Sequence, residues 1–154
     1  MSLFLVRHAK AGKRSKWDDD DSLRPLVEEG VRQAEVIAAS ISPLQPTALY
    51  SSPFLRCVQT LEPLGKATGL SVVKHELLAE GVDFTGTVDW MHTLADGAVM
   101  CSHGDVIPEV IDALERRGME VSGFRESRKG SVWVLERRKG SFTGGHAWPP
   151  PRFE

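Results

Sequence analysis

Apolar positions along the chain fall into short continuous runs that alternate with longer stretches of helical spacing. Leu3 to Arg7 is apolar until its last residue and reads as a buried strand. Val31, Ala34, Ile37, Ala38 and Ile41 recur at the 3.6-residue period and predict a helix over 27–41, closed by Pro43 and Pro46. Ala48 to Ser51 is a second strand. Pro53 is expected at the first position of the next helix, with Phe54, Val58 and Leu61 on one face, and Pro63 predicts a kink or an early end. Leu70 to Lys74 alternates as a third strand, 76–85 reads as a loop, and a short helix is expected over 87–95. A strand over 98–101 follows, then a helix capped by Asp105 that runs to Arg117 and stops at Gly118. Ser131 to Arg137 is the last strand expected. The stretch 146–154 carries Pro149, Pro150 and Pro151 and reads as an extended polyproline tail. Strands joined by helical crossovers imply an α/β fold of three layers, α/β/α, around a mostly parallel central sheet.

Length adds one constraint. At 154 residues the chain suits a single domain, expected over 1–147, with a Pro-rich tail over 148–154. The formal net charge of -2 argues against a general nucleic-acid binder, which is usually basic. No apolar stretch approaches the ~20 residues that span a bilayer, so no membrane partner is expected. The N-terminus lacks the features of a secretory signal, and a cytoplasmic location is expected. Cys57 and Cys101 are too few for a disulfide or metal framework and read as buried thiols.

Candidate chemistry gathers at strand ends. In an open α/β sheet, ligands bind beyond the carboxyl ends of the strands. Arg7-His8 follows the first strand, Arg56 the second, and His103 the strand ending near Cys101. A neutral imidazole is a nucleophile toward phosphorus. Two guanidinium forks match phosphoryl oxygens, and a second imidazole adds a donor. The helix that begins near Asp105 would aim backbone N–H groups at the same anion. Lys10, Lys13, Arg14 and Lys16 flank the first of these strand ends. Each lysine singly reads as a solvated loop residue; together they would steer an anion. Arg125, Arg128 and Lys129 form a second basic cluster, placed to cover the distal end of a substrate. Asp18 to Asp21 lack the alternating ligand spacing of a calcium loop and read as a solvated acidic stretch, with Asp21 positioning Arg24. No metal site and no cofactor are expected.

Leu5-Val6-Arg7-His8-Ala9 resembles the opening motif of the histidine phosphatase superfamily, the phosphoglycerate-mutase-like fold. Ser51-Ser52-Pro53-Phe54-Leu55-Arg56-Cys57-Val58-Gln59-Thr60 is similar to its second motif, and Ser102-His103-Gly104 to its third. The resemblance implies His8 as the phosphorylated nucleophile, with Arg7, Arg56 and His103 forming the phosphate pocket. Ala9 stands where many members have Gly, as in the small SixA-like phosphohistidine phosphatases. Asp21-Ser22-Leu23-Arg24-Pro25-Leu26 resembles an element of that group and suggests Arg24 as a substrate contact. Arg128-Lys129-Gly130-Ser131 looks like phosphatase domains that follow Nudix domains in actinobacteria and suggests Lys129 as another. The insertion that forms a lid in the larger mutases has no counterpart here. Glu80, past the third strand, lies where the family commonly places its general acid. The implied activity is hydrolysis of a phosphate monoester or a phosphohistidine through a phosphohistidine on His8. Phosphomutase activity and a non-catalytic phosphate-binding or scaffolding role are the alternatives. The implied partner is a phosphorylated small molecule or a phosphohistidine protein.

Overall fold

Continuous apolar character at Leu3 to Val6 has a simple cause: the strand they occupy is covered on both faces. The computed structural model describes residues 1–153. Its strands are β1 (Ser2–Arg7), β2 (Ala48–Ser51), β3 (Val72–Lys74), β4 (Ala98–Ser102), β5 (Glu120–Val121), β6 (Val132–Arg138) and β7 (Ser141–Trp148). They form one sheet in the order β3-β2-β4-β1-β6-β7-β5. β1, β2, β3 and β4 run parallel, with Val6 beside Cys101 and Ser51 beside both Cys101 and Lys74. β6 is antiparallel to β1 and to β7.

Four helices cover the sheet: α1 (Glu28–Ile41), α2 (Leu55–Thr68), α3 (Phe84–Met91) and α4 (Val106–Arg116). Alternation along β1 sends Phe4 and Val6 to the face with Ile37, Ile41 and Leu61, and Leu3 and Leu5 to the face with Met91, Val110 and Leu114. Each such side chain, fully buried, is worth roughly 1.5–3 kcal/mol. The two-sided core therefore fixes the carboxyl ends of β1, β2 and β4 relative to one another. None of the described helices is long and apolar enough to cross a membrane.

Several expectations need correction. α2 continues through Pro63 to Thr68 without an early end. An interior proline costs ~3 kcal/mol, but Leu61 and Leu64 on either side of it are fully buried, and their burial offsets that. Pro53 lies outside α2, because Phe54 is still extended while its N–H donates to Ser52 Oγ at 3.2 Å. Asp105 sits at the start of α4 without capping it, since its carboxylate accepts from the Gly81 N–H at 2.7 Å. α3 begins earlier than expected, at Phe84, because Asp83 accepts from the Thr85 N–H at 2.9 Å. Val31 faces outward, and Gly30 and Gln33 take the inward positions of α1. A Cβ at Gly30 would stand 2.0 Å from the Lys10 carbonyl oxygen, so the helix is seated directly on the loop after β1.

The C-terminal region differs most. Residues 146–148 belong to β7, not to a polyproline tail. A tight turn with positive φ at Lys139 (50°) and Gly140 (79°) joins β6 to β7, as hairpin twist requires. Residues 149–153 are held in place: Gln33 Nε2 donates to the Pro151 carbonyl at 3.3 Å, and Arg32 lies 4.6 Å from the Phe153 ring centre.

Candidate active site

Parallel pairing in register places the ends of β1 and β4 side by side, Arg7 against Ser102. The His8 N–H donates to the Ser102 carbonyl at 3.1 Å, so the first and third motifs are joined by backbone. Ser52 N–H donates to the Cys101 carbonyl at 2.9 Å and ties in the second. Arg7, His8, Arg56 and Glu80 line one cleft of about 970 Å³ at this edge of the sheet. His103 is buried against it, its ring centre 5.5 Å from that of His8.

His8 is only 4% exposed. Its Nδ1 lies 2.8 Å from the Ala9 carbonyl oxygen. A carbonyl only accepts, so Nδ1 carries the hydrogen and Nε2 keeps its lone pair. Burial lowers the His8 pKa to about 3, assisted by the nearby charges of His103, Arg56 and Arg7 and opposed by the Ala9 carbonyl. The ring is therefore a neutral nucleophile at physiological pH. Ala9 N–H in turn donates to Thr60 Oγ1 at 3.0 Å, and Lys10 N–H to Gln33 Oε1 at 2.9 Å, which fixes the loop that carries the ring.

Arg56 is fully buried. Its Nη1 donates to the Asp21 carbonyl at 2.8 Å, and its Nη2 to Asp21 Oδ2 at 3.0 Å and Glu80 Oε1 at 3.3 Å. Arg7 donates from Nη1 to the Ser127 carbonyl and passes so close to Gly104 that a Cβ there would stand 2.6 Å from its Cζ. His103 Nε2 lies 2.8 Å from Ser52 Oγ, and its Nδ1 lies 3.9 Å from Glu80 Oε1. Three buried nitrogens among the described residues make no hydrogen bond: Arg7 Nε, Arg56 Nε and His103 Nδ1. Each such orphan costs roughly 1–3 kcal/mol.

Glu80 Oε1 also accepts from Arg14 Nη2 at 3.0 Å. Arg14 is thus part of the site wall, where its Nε lies 3.5 Å from Asp21. Asp21 does position Arg24, whose Nε donates to Oδ1 at 2.9 Å, and it holds Arg56 as well. Partial burial works to raise the Asp21 pKa, but the Arg24 and Arg56 guanidinium groups outweigh it, and the net shift is downward. Arg24 is buried, and its Nη1 donates to the Gly12 carbonyl. Lys129 lines the cleft with Lys10, Lys13 and Arg128, whereas Lys16 does not. Arg125 departs from the expected cluster. It pairs with Asp112 at 3.6 Å and Glu115 at 2.5 Å on α4 and does not line the cleft. Both cysteines are buried and free, as expected. Cys57 lies 3.5 Å from His103 Nε2, beneath the site. Ser52 and Thr60 stand in the second motif, but the sequence alone carries no sign that they fix His103 and the His8 loop. No group of three or more His, Cys, Asp or Glu placed to hold a metal ion occurs among the described residues.

Fold and site together define an α/β protein of phosphoglycerate-mutase-like architecture. The chain belongs to the histidine phosphatase superfamily (branch 1), whose family model matches residues 3–93. It is 33% identical over 156 residues to a protein named 8-oxo-(d)GTP phosphatase from Mycolicibacterium smegmatis, an alignment that covers 97% of this chain and 48% of that one. The chain thus spans about half the length of that relative. Among solved structures, the protein histidine phosphatase SixA complexed with tungstate superposes with a TM-score of 0.76 at 21% identity, covering 93% of each chain. A mycobacterial glucosyl-3-phosphoglycerate phosphatase superposes with a TM-score of 0.65 at 17% identity, covering 88% of this chain and 92% of that one.

Proposed function

We propose that the protein is a phosphatase that hydrolyses a phosphate monoester or phosphohistidine through a covalent intermediate on His8. Family membership supports the reaction class. The observation that carries the mechanism is the tautomer of His8: the Ala9 carbonyl holds Nδ1–H, and Nε2 is left as the nucleophile.

In the first step the Nε2 lone pair attacks phosphorus, the N–P bond forms and the bond to the leaving group breaks. The ring becomes cationic, and the Ala9 carbonyl accepts from its Nδ1–H. Arg7, Arg56 and His103 meet the charge on the phosphoryl oxygens through the nitrogens that otherwise lack partners. A poor leaving group takes a proton from Glu80. In the second step water attacks phosphorus, Glu80 takes its proton, and the N–P bond breaks to restore neutral His8. Arg24 and Lys129 contact the substrate beyond the phosphoryl group. The unit over 1–147 contains all of these residues, and Pro150, Pro151, Arg152 and Phe153 of the segment that follows line the same cleft.

Trapping tests this reading. Incubation with p-nitrophenyl phosphate and an alkaline quench, which preserves phosphohistidine, should add the mass of one phosphoryl group to a peptide containing His8. His8→Ala should show neither adduct nor turnover. Undiminished turnover in that variant removes the mechanism. Phosphate release without isomerised product separates a phosphatase from a mutase, and an adduct separates an enzyme from a binding protein.

A further inference from the structure

Charge is distributed very unevenly in this molecule. The chain has a formal net charge of -2, yet nine Lys and Arg side chains line the active-site cleft against three carboxylates, Glu29, Glu80 and Asp105. A single phosphoryl group is met by Arg7, Arg56 and His103. Most of the remaining cations already have partners. Lys10 pairs with Glu29 at 3.1 Å, Arg14 with Glu80 at 3.0 Å, Arg24 with Asp21 at 2.9 Å, and Arg128 with Glu126 at 2.5 Å. Lys13, Lys129 and Arg152 have no carboxylate partner among the described residues, and all three line the cleft; Lys13 and Lys129 come from the loops after β1 and before β6, Arg152 from the C-terminal segment. Partial burial lowers the Lys129 pKa, and the charges of Arg7, Arg24, Arg56 and Arg14 lower it further. That ammonium therefore lies in a positive field, with no carboxylate paired to it among the described residues.

We propose that Lys13 and Lys129 form a second anion subsite, and that the substrate is a small molecule bearing a diphosphate whose terminal phosphoryl group is transferred. The proposal rests on the phosphatase reading above. The terminal phosphorus sits at His8 Nε2, and the penultimate phosphate lies against the two lysines. Attack forms the N–P bond and breaks the bridging P–O bond. The leaving group is a phosphate monoester, whose second pKa near 6 lets it depart as an anion at neutral pH. Water then releases orthophosphate from His8. The net reaction converts a diphosphate and water into a monophosphate and orthophosphate. A phosphohistidine on a protein offers one phosphoryl group on an otherwise uncharged ring and leaves both lysines unneutralised.

Inhibition of p-nitrophenyl phosphate hydrolysis provides the test. Pyrophosphate should inhibit at least about tenfold more tightly than orthophosphate, a difference of ~1.4 kcal/mol. The Lys13→Ala/Lys129→Ala pair should bring that ratio close to one, Lys129→Glu should invert it, and Lys129→Arg should restore it. A nucleoside 5′-diphosphate should release orthophosphate with higher kcat/KM than the matching monophosphate. Equal inhibition by the two anions, a ratio unmoved by the lysine variants, or turnover confined to a phosphohistidine protein would overturn the subsite. If p-nitrophenyl phosphate is not hydrolysed at all, the phosphatase reading fails on its own. Calorimetry with pyrophosphate on wild type and the double variant then still decides the subsite by the same ratio.

Discussion

Glu80 illustrates how one residue can be useful or idle depending on what it faces. Its Oε1 accepts from both Arg14 and Arg56 and lies 3.9 Å from His103, so it stands at the rim of the phosphoryl site. General acid help is worth roughly 10²–10⁴ in rate, and only a leaving group that departs poorly needs it. Glu80→Gln should therefore slow hydrolysis of an alkyl phosphate by at least about 10²-fold and that of p-nitrophenyl phosphate by far less. Equal losses on both substrates, read as kcat ratios, would assign Glu80 a structural role through its ion pairs. His8 makes a second prediction, on stability. Folding lowers its pKa from the ordinary 6.5 to about 3, chiefly through burial. Between those values the unfolded chain binds a proton that the folded chain does not. The stabilising effect of the neutral ring is thus full above about pH 6.5 and is lost as pH falls toward 3. By about pH 4.5 the loss should amount to roughly 2–3 kcal/mol. Urea unfolding at about pH 7.5 and about pH 4.5 should show a larger drop for wild type than for His8→Asn. Equal drops would mean that the ring is solvated in the folded state.

Elements matter here chiefly for where they end. The turn from β4 into α4 brings Gly104 against the Arg7 guanidinium, and a methyl group there would meet Cζ at 2.6 Å. Gly104→Ala should therefore displace Arg7 by about 1 Å, a misplacement that can cost 10²-fold. The expected result is a fall in kcat/KM of about that size at nearly unchanged thermal stability. Full activity would show that Arg7 has slack. Most of these elements can be read from the sequence, because burial on two faces writes continuous apolar runs at Leu3 to Val6 and Ala98 to Cys101. β7 cannot be read in this way. Gly144 and Gly145 interrupt its alternation, and its pairing with β6 is specified by the Lys139-Gly140 turn, a signal only two residues long. The helix start read at Pro53 and the cap read at Asp105 mislead for a related reason. Local rules pair a helix end with a nearby cap, but Ser52 is engaged with His103 and the Asp105 carboxylate with Gly81, so α2 starts two residues past Pro53 and α4 starts where expected without the aspartate cap. Arg7, His8, Arg56 and His103 are legible as strand-end residues, whereas Asp21 holding Arg56 depends on a contact across 35 positions that no periodicity encodes.

At the scale of the whole molecule, the sheet edge concentrates positive charge that the rest of the chain more than balances. The inner charges and the outer ones should respond differently to salt. Arg56 is fully buried, and added ions screen it little. Lys13 and Lys129 lie at the exposed rim, where the screening length falls from about 10 Å at 0.1 M to about 3 Å at 1 M salt. Raising sodium chloride across that range should thus raise KM for a nucleoside diphosphate several-fold more than KM for p-nitrophenyl phosphate, with kcat for each changing little. Chloride suits the purpose because sulfate and phosphate would compete for the site itself. In the Lys13→Ala/Lys129→Ala pair the two substrates should show the same salt dependence. If they already do so in wild type, the cleft acts on anions through its overall field and not through a defined second contact.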